Sequence, residues 1–86
     1  MEGGQRGLTV TQVQYVLEVA ACKNISRAAE RLFISQSALS QQIHRLEHEL
    51  GFPLFTRTAR GLELTEDGVV FCREAQPAVE AWMAFH

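Results

Sequence analysis

No stretch of this sequence approaches the roughly 20 consecutive apolar residues that a membrane-crossing helix needs. The opening "MEGGQRG" leads into no apolar segment of the kind that marks a secretory signal, so residues 1–7 read as a disordered or appended tail outside the fold. Cysteine is scarce. Cys22 and Cys72 are the only two, each in an apolar helical setting, which suits reduced core thiols in the cytoplasm better than a disulfide framework. After the tail there are no repeats, low-complexity tracts or linker-like runs, so the chain reads as one unit. With 86 residues it buries only about 60 % of its unfolded surface, and a substrate cleft would compete with the core for side chains.

Positive charge is also short, and the net charge of -2 at first argues against a phosphate-rich partner. The distribution reverses that. Six basic residues face three acids between Lys23 and Arg60, whereas from Gly61 onward one basic residue faces five acids. Such a domain can present a mildly basic face while remaining acidic in total, although solvated charges at two ends would look the same.

What is present is helical periodicity. Thr11 offers a cap for a first helix to about Lys23, with Val13, Val16, Leu17 and Ala20 as its buried stripe. Asn24 caps a short second helix, "ISRAAERL", in which Ala28, Ala29 and Leu32 face inward and the paired alanines permit close approach. Ser35 caps a third, whose Leu39, Ile43, Leu46 and Leu50 recur at helical spacing until Gly51 and Pro53 end it. "LFTRTARGLELT" predicts a hairpin with Gly61 at or near its turn, Phe55, Leu62 and Leu64 filling one face while Arg57 and Arg60 stay out. Thr65 caps a last, strongly apolar helix that begins with Glu66 and Asp67 and should kink or restart at Pro77.

"HRLEH" at 44–48 fits H-x-x-E-H, the spacing by which inverted zinc peptidases place two histidine ligands and a glutamate base on one helix. A peptidase also needs a further ligand from elsewhere and a cleft. Here Ile43 and Leu46 belong to the apolar stripe, and Glu47 is expected to pair with a basic neighbour, so adventitious metal binding by His44 and His48 is the stronger reading of the motif. Catalysis by Cys22 or Cys72 has little support at core positions. We therefore expect no enzyme and no cofactor.

A short helix, a turn, a longer helix and a hairpin form a winged helix-turn-helix, mostly α, with a small β wing and a trailing helix. Opposite its apolar stripe the third helix displays Gln36, Ser37, Ser40, Gln41 and His44. Glutamine can pair bidentately with adenine, serine can donate or accept, and both let a helix lie deep in the major groove. Asn24, Ser26 and Ser35, at helix starts, are candidates for the DNA backbone, with Arg27 adding charge. Arg57, Thr58 and Arg60 suit a wing over a phosphate ridge or in the minor groove. Arg31 and Arg45 are expected to pair along their helices with Glu30, Glu47 or Glu49.

The stretch "NISRAAERLFISQSALSQQIHRLEHELGFPLFTRTARGLELTEDG" resembles the N-terminal DNA-binding domain of LysR-type transcriptional regulators. The motifs AAERL, SQSALSQQI, LE-x-x-LG-x-PLF-x-R and G-x-x-LT-x-x-G carry the likeness, which spans Leu8 to about Ala75. The resemblance implies a domain over 8–65 that binds double-stranded DNA, with Gln36, Ser37, Ser40 and Gln41 reading bases, Asn24 and Arg27 starting the preceding helix, and Arg57 and Arg60 on the wing. It implies that 66–86 is a linker helix joining a homodimer or tetramer, for which Val70, Phe71, Val79, Trp82, Met83 and Phe85 are the expected contacts. It also implies a larger domain, absent here, that binds a small-molecule inducer. Gln41 stands where arginine is common, Ser37 where proline is common, and His44 replaces a frequent basic residue. The rival reading is a winged-helix module for protein contacts, supported by weak basicity and the apolar run "AVEAWMAF".

Overall fold

The computed structural model describes residues 9–85, and the tail expected over 1–7 lies outside them. Four helices and one hairpin follow in the order α1 (Val10–Cys22), α2 (Ile25–Leu32), α3 (Gln36–Leu50), β1 (Phe55–Thr58), β2 (Gly61–Leu64) and α4 (Glu66–Ala84).

Helix α1 starts two residues earlier than the expected cap at Thr11. Thr9 closes a capping box with Gln12: the Gln12 amide donates to Thr9 Oγ1 at 3.0 Å, and the Thr9 amide donates to Gln12 Oε1 at 3.1 Å. The buried stripe also moves, to Val13, Val16 and Val19, with Leu17 and Ala20 half-buried. Three helices pack on α1, so its buried face is wider than one seam. Asn24, Ser35 and Thr65 cap α2, α3 and α4, each accepting from the backbone amide three residues on. Lys23, Phe33 and Gly51 take left-handed conformations that end the first three helices.

The core gathers Val16, Val19, Ala28, Ala29, Leu39, Ile43, Leu46 and Leu54. Ala28 and Ala29 let α2 lie close to α1 and α3 and fix the helix-turn-helix angle. Leu54, just before β1, anchors the wing. Its side chain is fully buried, its amide donates to Glu47 Oε2 at 2.7 Å, and its carbonyl accepts from the Thr65 amide at 2.9 Å. Gly68 presses onto the same carbonyl so tightly that a Cβ there would lie 2.2 Å from Leu54 O. The hairpin is antiparallel, pairing Phe55 with Leu64 and Arg57 with Leu62. Helix α4 continues through Pro77 as a single α-helix without restarting. Proline has no N–H for the Arg73 carbonyl one turn back, and at this exposed position water can take its place.

Candidate nucleic-acid interface

Along the outer side of α3, Gln36, Ser37, Gln41 and His44 are exposed, and Ser40 is half-buried. Capping by Ser35 uses one lone pair of its hydroxyl, which accepts from the Ala38 amide at 3.0 Å and keeps its proton free to donate. Asn24 Oδ1 likewise accepts from the Arg27 amide at 2.9 Å, leaving its amide N–H groups outward. The starts of α2 and α3 can therefore each offer a donor to an anion. Ser26 differs: its hydroxyl donates to Gln36 Oε1 at 2.7 Å, so the proton expected for a phosphate goes instead to the neighbouring helix.

The wing departs from expectation at Arg57. Residues two apart on a strand share a face, so Arg57 lies on the same side as Phe55, Leu62 and Leu64. With Ser40 and His44 of α3 it lines a groove of about 210 Å³ between α3 and the wing, which Ile25, Ile43 and Leu62 also line. It shares that groove with α3 while remaining exposed. Arg60 sits at the hairpin tip, where its Nε lies 3.6 Å from Glu63 Oε2. Glu63 thereby offsets part of the tip's charge from the face opposite Leu62 and Leu64. Thr58 is engaged within the turn, accepting from the Arg60 amide at 3.1 Å and donating to the Gly61 carbonyl at 3.3 Å.

Two expected ion pairs are also corrected. Glu47 does not meet a basic neighbour; its carboxylate accepts from the Leu54 and Phe55 amides at 2.7 and 3.3 Å, which ties α3 to the wing. The glutamate of "HRLEH" is thus engaged in the fold, and among the described residues no cluster of three metal-ligating side chains forms. Arg31 pairs with Glu18 across the α1–α2 corner and not along α2. That hydrogen bond and charge hold the Arg31 guanidinium above its ordinary pKa. Burial, with the Glu18 carboxylate behind it, pushes the Cys22 thiol up, and burial alone does so at Cys72.

On α4 the expected contact residues divide. Phe71 packs against the domain's own core, and Val79 lines a crevice with Val10 and Val13 of α1. Val70, Trp82, Met83 and Phe85 are 47 %, 48 %, 54 % and 85 % exposed. Among the described residues no helix is long and apolar enough to cross a membrane.

Residues 10–69 match the family model described as bacterial regulatory helix-turn-helix protein, lysR family. The chain is 52 % identical over 63 residues to the HTH-type transcriptional regulator BudR of Klebsiella aerogenes, an alignment covering 73 % of this chain and 44 % of that protein. It is 44 % identical over 69 residues to the regulator TfdT of Cupriavidus pinatubonensis, covering 80 % of this chain and 30 % of TfdT. It therefore spans less than half the length of these relatives. Among solved structures, the CbnR DBD–DNA complex matches with a TM-score of 0.82 at 35 % identity, over 90 % of this chain and 88 % of that one. The BenM DBD/catB site 1 DNA complex matches with a TM-score of 0.85 at 29 % identity, over 91 % and 84 %. The relatives are named as regulators, not enzymes, and their winged helix-turn-helix is the fold built here from Ala28, Ala29 and Leu54: the chain belongs to the LysR family of bacterial regulatory helix-turn-helix proteins.

Proposed function

We propose that this chain is the DNA-reading domain of a transcription regulator, with the N-terminal half of α3 in the major groove and the β1–β2 wing on the backbone or in the minor groove. The observation that carries this reading is the exposed, uncharged polar face Gln36, Ser37, Gln41, with Arg57 of the wing sharing a groove with Ser40 and His44 of the same helix. Uncharged donors and acceptors suit base edges, and flanking cations suit phosphates. The same fold is seen bound to DNA in the CbnR and BenM complexes, which supports the assignment. Ser35 and Asn24 would donate to phosphates beside the groove, and Arg57 would reach a phosphate from within the α3–wing groove.

The exposed apolar end of α4, Trp82, Met83 and Phe85, supports pairing with a second copy and hence a site with two half-sites. An inducer-binding domain, regulation of promoter activity and a cytoplasmic location belong to the same proposal. Nothing in it requires catalysis or a cofactor.

Selection of bound sequences from random duplex DNA, followed by affinity at several salt concentrations, tests the reading. The expected result is an enriched motif with two related half-sites and a negative slope of log affinity against log salt, a slope that Arg57→Ala reduces by roughly 1. No enrichment and no salt-dependent binding at low ionic strength would remove the DNA-reading assignment.

A further inference from the structure

The Ser26 hydroxyl and the Gln36 amide oxygen, 2.7 Å apart, join the two helices of the helix-turn-helix at the surface where α3 begins. Gln36 is the first residue of α3 and is otherwise exposed, so this contact decides which way its amide plane turns. Glutamine reads adenine bidentately only when its oxygen and nitrogen both point at one base edge, the oxygen accepting from N6 and the nitrogen donating to N7. With its oxygen held by α2, the exposed Gln36 has an Nε2 that makes no hydrogen bond among the described residues.

We propose that Ser26 is a specificity-determining positioning residue: by holding Gln36 Oε1 it makes Gln36 a hydrogen-bond donor to the groove, selecting guanine or thymine, whose edges accept, over adenine read bidentately. The proposal rests on the DNA-reading assignment above. Ser26 touches no base in it and acts only through Gln36. Guanine presents O6 and N7 and thymine presents O4, and each can take a proton from Nε2. Adenine N7 also accepts, and Oε1 keeps a second lone pair, but with that oxygen held against α2 the adenine N6 donor is met only if the amide turns away from Ser26 and gives up that bond, which is where discrimination arises.

Random-duplex selection with the wild-type chain, Ser26→Ala, Ser26→Thr and Gln36→Ala tests this. The base pair read by Gln36 is the one whose preference is lost in Gln36→Ala. At that pair the wild type is expected to enrich guanine or thymine over adenine by roughly 5- to 150-fold, the value of one good base contact. Ser26→Ala should lose most of that ratio with an unchanged salt slope and unchanged preferences elsewhere, and Ser26→Thr, which keeps the hydroxyl, should restore it. A purely structural role would instead lower affinity evenly across all sequences. Adenine enriched at that pair by the wild type, a Ser26→Ala profile identical to wild type, or no pair altered in Gln36→Ala would each overturn the proposal. A wild type that enriches no sequence at all overturns the DNA-reading assignment and this proposal with it, an outcome distinct from the other three.

Discussion

The Leu54 amide donates to the Glu47 carboxylate at 2.7 Å, so the recognition helix and the root of the wing are joined by a side chain to backbone bond seven residues apart. The Phe55 amide adds a longer second contact at 3.3 Å. Removing the carboxylate leaves partly buried N–H groups unpaired, at a cost of about 1–3 kcal/mol. Glu47→Ala should therefore lower the melting temperature by several degrees, since about 1 kcal/mol corresponds to roughly 4–8 °C in a domain of this size. Glu47→Gln keeps an acceptor oxygen and should lose less. Equal melting temperatures for Glu47→Ala and wild type would show that water replaces the contact.

Among the described glycines, Gly68 makes the closest approach to a neighbouring backbone. An added methyl would meet Leu54 O at 2.2 Å and Leu64 Cδ2 at 2.9 Å, neither of which can move without shifting the wing root. Alanine gains about 1 kcal/mol of helix propensity over glycine, but overpacking against backbone costs about 1–3 kcal/mol or more. Gly68→Ala should destabilise, as read by urea denaturation, and Gly68→Val should not fold. A stabilised Gly68→Ala would mean that α4 stands further from Leu54.

Phe33 ends α2 with φ at 61° and is 94 % exposed, so it carries left-handed strain while burying almost nothing. A side chain in that conformation costs roughly 1–2 kcal/mol. Phe33→Gly should raise stability by about 0.5–1 kcal/mol in thermal unfolding. A loss of stability would reveal packing on Phe33 that its exposure does not suggest.

Both thiols are raised, Cys72 by burial and Cys22 by burial and then by Glu18. Above about pH 8.5 the unfolded chain releases thiol protons that the folded chain retains, so stability falls as pH rises through that range and is fully present below it. Denaturant midpoints from pH 7 to 10 should decline, and less steeply in a Cys22→Ala/Cys72→Ala variant. Alkylation by iodoacetamide at pH 8.5 should be slower for the folded chain than in urea. Equal alkylation rates would contradict the raised thiols.

Much of the local structure was legible in the residues. Asn24, Ser35 and Thr65 are caps because each has a short acceptor side chain ahead of a helical pattern, and Gly51 ends α3 because it tolerates positive φ. The start of α1 was ambiguous: Thr9 and Thr11 are both followed three residues later by glutamine. Beginning at Thr9 places Val10 in a crevice shared with Ala75 and Val79 of α4, a proximity that no local pattern reveals. Arg57 was legible and was missed. Its two-residue spacing from Phe55 already places both on one face. Leu54 escaped the strand alternation because it precedes β1 and lies outside the paired residues.

By itself the sequence determined the elements, the caps of α2, α3 and α4 and the polar face of α3, because capping and periodicity are interactions between residues at most a turn or two apart. The tertiary structure alone decided what Glu18, Ser26 and Glu47 do. Their partners, Arg31, Gln36 and Leu54, lie on other elements, and helix packing angles that depend on Ala28, Ala29 and the wing root bring them within reach. A short polar side chain can cap, bind phosphate or orient a neighbour with the same atoms, and only the position of the next element selects among these uses.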